Sequence, residues 1–178
     1  MREDALFTLV KSTLDAGFAA AGADFAGVTV TQKFQPRQTG LSSGKVVYME
    51  EVLSRRYGSM KRKDVQSGAD FEHTEIQIWE TTLQISAAHT RNPTALSPVA
   101  AMDLAKRASA ILQGDAGLAA LAVGGVRPLR VTDIRKIPFV NDADQWETMP
   151  TFDIVLTYAD SIVSVTPSAT IEQNVKGV

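Results

Sequence analysis

The stretch from Phe71 to Ala88 constrains this chain most. Ile76 and Ile78 alternate in one phase and Thr81, Leu83, Ile85 and Ala87 in the other, so it reads as one long strand. A period of two commits this part of the chain to a sheet, and the change of phase near Trp79 and Glu80 predicts a bulge or sharp twist there. Upstream, Leu6, Val10, Leu14, Gly17 and Ala21 recur at helical spacing with Phe7 and Phe18 on the same stripe. Glu3 and Asp4 fall in the first turn, where carboxylates favour the helix dipole, so a helix is expected from Arg2 to Ala21, closed by Gly22 and Gly27. Val28–Phe34 has the β-branched content of a first strand, Pro36–Gly44 reads as a loop, and Lys45–Arg55 as a second strand.

Downstream, Ser97 followed by Pro98 predicts a helix N-terminus, with Ala101, Leu104, Ala108 and Ile111 forming one face up to Gly114. Leu104 and Ile111 are expected to pack on Leu83, Ile85, Ile154 and Leu156. Asp115 can cap a short helix through Leu121, ended by Gly124 and Gly125. Leu129–Arg135 and Thr151–Tyr158 read as strands, and Ile162–Val165 as a strand pairing back across an Ala159-Asp160-Ser161 turn. The sum is an α+β fold: an antiparallel or mixed sheet with a long hairpin, packed against two main helices and one short one. Residues 1–166 form one domain on this reading, and 167–178 a polar tail, disordered or lent to a neighbour.

Composition narrows function mainly by exclusion. Net charge is −2 and the pI about 5.7, so no global basic excess draws nucleic acid or an anionic membrane. Cysteine is absent, which removes disulfides, thiolate metal sites and cysteine nucleophiles together. Met1-Arg2-Glu3-Asp4 carries acid where a secretory signal needs a basic and then apolar run, and no apolar stretch approaches the roughly 20 residues of a membrane helix.

Chemistry-bearing motifs are sparse. The only histidines, His73 and His89, lie sixteen residues apart on the long strand, and no G-x-S-x-G elbow presents a serine. Gly40 to Val46 has three residues between its glycines where a phosphate loop needs four, and Val46 stands where a magnesium-binding hydroxyl belongs. Asn141 to Glu147 holds three carboxylates, Asp142, Asp144 and Glu147, without the glycine and terminal glutamate of an EF-hand loop, so a solvated acidic turn is the better reading. The expectation is of no catalytic residue, no metal and no cofactor.

One feature rises above this background. Arg55, Arg56, Lys61, Arg62 and Lys63 place five of the chain's 18 cations in nine residues that contain no acid, against 20 acidic residues elsewhere. Flanked by strands, the cluster is the tip or flank of a long hairpin. A charge run of this kind is most often a solvated end. Two functions compete with that: contact with phosphates, for which Tyr57 alone offers stacking, and contact with acidic surface on another subunit. The protein contact is favoured, with Asp142, Asp144 and Glu147 as its expected partners.

From Trp79 to Tyr158 the chain resembles the neck or tail-terminator family of tailed bacteriophages. The resemblance rests on an ordered succession: the strand Ile78 to Ser86, the proline-punctuated link into the helix Ala100 to Leu112, the short helix Gly117 to Leu121, Val126-Arg127-Pro128-Leu129, and Phe139 to Asp142 leading into Thr151 to Leu156. The Arg55-Arg56-Tyr57-Gly58 strand exit is similar too, whereas the first 44 residues match only in their leading helix. The resemblance implies a small structural subunit, without catalytic residues, that forms a homohexameric ring on the last ring of tail tube protein. Such a ring ends tube polymerisation, offers a surface to the head connector and passes the genome without reading its sequence. It implies a virion location, host cytoplasm during assembly, and a sheath as further partner where the tail contracts. The alternatives are another head–tail connector or completion protein, a nucleic-acid-binding module using residues 55–63, and an enzyme on the same scaffold.

Overall fold

The computed structural model describes residues 3–33, 44–68, 70–89, 99–140 and 146–167. Helix α1 (Glu3–Ala19) and a 3-10 turn (Ala23–Phe25) lead into β1 (Thr29–Gln32), β2 (Val46–Ser67) and β3 (Asp70–Ala88). Then come α2 (Ala101–Gln113), α3 (Asp115–Val123), β4 (Val126–Val131), β5 (Arg135–Val140) and β6 (Trp146–Pro167). All six strands form one sheet in the order β1-β2-β3-β6-β4, with β5 also on β6. Only the β1–β2 pair is parallel, so the sheet is mixed and the fold α+β, as expected. The expected loop over residues 36–43, the Ser97-Pro98 helix start and the tail beyond Pro167 lie outside the described residues.

The helices share the sheet face bearing Leu83, Ile85 and Ala87 of β3 and Phe152, Ile154 and Leu156 of β6. On α1, Leu6, Phe7, Val10, Leu14 and Phe18 are buried, the stripe its spacing predicts. On α2 the buried residues are Leu104, Ala105, Ala108 and Leu112. Leu104 enters the sheet core as expected, but Leu112 takes the place assigned to Ile111. Ile111 instead faces α1, where a Cβ on Gly17 would lie 2.4 Å from its Cγ2; glycine is what lets these helices approach. The first turn of α2 begins at Ala101, and Asp103 accepts the Ala100 N–H at 3.0 Å, supplying half a capping box.

Four expectations about the strands are corrected. β2 runs on to Ser67, twelve residues past Arg55, because its partner β3 continues to Asp70. Ala159-Asp160-Ser161 is not a turn: all three residues pair with β3, opposite Ile78, Gln77 and Ile76, so β6 is a single strand. And β3 carries no irregularity at Trp79 and Glu80, since its register with β6 is unbroken from Asp70 to Ser86. The bulges sit on β2 instead, at Val52 and at Gly58-Ser59-Met60, which stand against Gln77 alone. Gly58 has φ 71°, a left-handed conformation that a side chain would strain. The phase change has a plain cause: Ile76 and Ile78 lie on the sheet face away from the helices, in a stretch where residues 73–79 are all half-buried, so it marks the strand leaving the covered core and not a kink. The Leu129–Arg135 strand also divides, with β4 ending at Val131 and β5 beginning at Arg135.

Candidate assembly surface

Among the described residues, no side chain of β2, β3 or β6 beyond Tyr57, Ile78 and Ala159 joins the core or packs against it. These strand ends form a three-stranded arm, about 27 Å from Ile78 to Asp70 at ordinary strand rise. Residues 55–63 lie on the flank of this arm, on the strand leading out to its tip, and not at the tip itself.

The structure divides the five cations. Arg55 stands opposite Glu80, and its Nη2 and Nε donate to Oε1 at 2.5 and 2.9 Å. Glu80 is only 7% exposed, so the arm is rooted by a charge held out of water. The Arg56 guanidinium lies over the Trp79 ring, 5.9 Å from its centroid. Arg62 donates to Asp64 at 2.9 Å. Lys61 and Lys63 have no partner among the described residues. Among the described residues none of the five pairs with an acid of residues 141–147. Asp142 and Asp144 lie outside the described residues, and Glu147 is at the opposite end of β6, fifteen residues and about 50 Å from Ile162, the residue level with Arg62. A pairing of the cluster with Glu147 would therefore be between copies.

Near the tip, one group that sequence reading left unassigned ties the three strands together. His73 on the central strand lies 2.7 Å from Asp64 Oδ1 through Nδ1 and 2.6 Å from Thr166 Oγ1 through Nε2. The set is consistent with Nδ1–H donating to the carboxylate and the Thr166 hydroxyl donating to Nε2. The hydrogen bond from His73, and then that from Arg62, hold the Asp64 carboxyl below the usual carboxylate range. Asp64 in turn raises Arg62 above its ordinary value. The order acid–imidazole–hydroxyl is that of a nucleophile relay, but here each member comes from a different strand of an open sheet face, and the contact fastens the strands. Period-two spacing of Asp64 with Arg62 and of His73 with Phe71 and Glu75 carried this signal only once the strands were paired.

The other candidate features fall on the body. A cleft of about 450 Å³ lies between the 3-10 turn and α2, lined by Asp24, Phe25, Asp103, Lys106 and Arg107 among others. Asp103 is engaged at the α2 N-terminus, and Arg107 lies over the Phe25 ring at 5.7 Å. A smaller space of about 170 Å³ adjoins α1 at Asp4, Thr8 and Lys11. Lys45, the lysine of the glycine-rich stretch, donates to the carbonyls of Asp24 and Ala26 at 2.5 and 3.3 Å, so it braces the 3-10 turn; residues 40–43 lie outside the described residues. His73 is on β3, while His89 lies one residue past its end.

An α+β fold with its helices on one face of a mixed sheet is consistent with a protein of the tail-terminator class. A family model described as E217 gateway protein gp29 matches residues 5–168, and the chain belongs to that family. No curated protein matches it. Among solved structures it is similar to the sheath/tube terminator, in its extended state, of the extracellular contractile injection system PVC, with 10% identity and a TM-score of 0.49. That likeness covers 96% of this chain, which spans 63% of the length of the solved chain.

Proposed function

We propose that this chain is a structural subunit of a phage neck. Six copies form a ring that caps the tail tube, ends its polymerisation and joins the tail to the head connector; in a contractile tail the ring also meets the sheath. The observation that carries the reading is the arm: a strand ribbon outside the core, apolar on much of its exposed surface and cationic along one strand, on a chain of the gateway family. Such a subunit has two unlike flanks, which is what a closed heterologous ring requires. Six is the number that a sixfold tube demands of its cap. The genome passes through without sequence readout.

Electron microscopy of the purified chain and of tails bearing it tests this, with sixfold rings expected. A chain that is monomeric or dimeric both free and on tails overturns it. The nucleic-acid reading is less supported, because three of the five cations in residues 55–63 already meet Glu80, Trp79 or Asp64, leaving two for phosphates.

A further inference from the structure

The arm has two open edges. Among the described residues no strand pairs with β2 beyond Met49 on its outer side, and none with β6 beyond Tyr158 on its own. Apart from Asp160, which is engaged, the outward backbone N–H and C=O groups of these edges have no strand partner among the described residues and can take another strand. They also run the same way: β2 leads out to the Gly68 turn, β3 returns, and β6, antiparallel to β3, leads out again to Pro167. The three strands are level, Lys61 with Ile76 and Ser161, Lys63 with Thr74 and Val163, Val65 with Glu72 and Val165.

The edges differ in charge. β2 carries Lys61, Arg62 and Lys63, whereas β6 contains no Lys or Arg along its 22 residues. Its outer part exposes Ile162 at 66%, Val163 at 55% and Val165 at 62%. Joining β2 to β2 between copies would set cations against cations, which is unfavourable for directly opposed residues. Joining β6 to β6 would leave the cationic edge of each copy open. Joining β6 to β2 leaves no edge open, sets the cationic strand beside one with no cation, and covers the apolar β6 residues.

We infer that β6 of one copy pairs in parallel with β2 of the next, so that the arms of successive copies join into one continuous sheet. Parallel is the sense required because rotation about an axis along the arms preserves strand direction. The inference rests on the reading of this chain as a ring-forming subunit and names its partner, a second copy, and the strands that meet.

The chain has no cysteine, so disulfides can be placed cleanly. Lys63→Cys is combined in turn with Ser161→Cys, Val163→Cys and Val165→Cys, and assembled rings are oxidised. Within one copy these positions lie on either side of β3, about 10 Å apart, too far for a disulfide. A covalent ladder ending at the subunit number of the ring is the expected result from at least one pairing. Backbone amides of residues 159–167 should also exchange more slowly in rings than in free chains. Intact rings with neither ladder nor added protection overturn the inference while leaving the ring reading standing. Disulfide dimers from a β6 cysteine alone, or a ladder that forms only when the chain is cut after Pro167, overturn it in favour of β6–β6 pairing or of cover by the chain's own tail. If no rings form under any condition, both readings fail.

Discussion

Arg55 and Glu80 face each other across β2 and β3, and the arginine closes on a carboxylate almost wholly withdrawn from water. Removing the cation strands that charge. Arg55→Ala is expected to destabilise the chain by about 1–3 kcal/mol, the range for losing hydrogen bonds to a charged group, because Arg55 itself is largely exposed. Arg55→Ala with Glu80→Gln should recover part of the loss in denaturant unfolding, since the uncompensated charge is then gone.

Leu104 is fully buried where α2 meets the sheet. Leu104→Ala should cost about 2–5 kcal/mol, transfer and cavity together, read as a fall in the denaturant midpoint with the slope unchanged. A midpoint within error of the parent would show that α2 does not seal this face.

The Asp64 carboxyl should titrate below the usual carboxylate range, and His73→Ala and Arg62→Ala should each raise its midpoint, because hydrogen bonds from both hold it down, that from His73 being the largest single cause. The sign follows from linkage: a depressed folded-state value contributes stability above the unfolded value and loses it as pH falls through the folded one. The clasp across the arm is thus intact at neutral pH and opens only in acid. NMR titration of the Asp64 side-chain carbon measures it.

Lys61→Glu with Lys63→Glu changes two exposed side chains that have no partner among the described residues, so unfolding free energy should move by no more than about 0.5 kcal/mol while ring assembly falls. Restoration by Asp142→Lys and Asp144→Lys would instead place these lysines against the acidic stretch of another copy and count against the level pairing of β6 with β2. If these lysines bind DNA instead, the parent chain should show strongly salt-dependent binding as a monomer, and the double variant should lose that alone.

Much of the body was legible in the sequence because burial and periodicity coincide there: Leu6, Val10 and Leu14 on α1, and Leu83, Ile85 and Ala87 on β3, each mark a covered face. The arm was not, because its residues are exposed and take their conformation from partners. Asp160 and Ser161 look like a turn in isolation and become strand only beside Gln77 and Ile76. Ile76 and Ile78 mimicked a bulge because alternation cannot tell a kinked strand from one that runs out of the covered core. The cations of residues 55–63 were visible as a cluster, but which of them remain available depended on Glu80 and Trp79, two strands' pairing away in sequence.

The arm is also a matter of timing. β2 and β3 are joined by a short turn and can zip as soon as Ala88 has been made, whereas β6 begins 58 residues later and pairs Pro167 with Asp70 across 97 residues of chain. Closing so long a loop is the slow step in such a topology. Until it closes, Ile76 and Ile78 sit on an unprotected strand, the kind of transient edge from which aggregates grow. The cation-free edge offered by β6 is thereby the last part of the arm to exist, so a chain still being synthesised or only half folded cannot yet offer that edge to a neighbour.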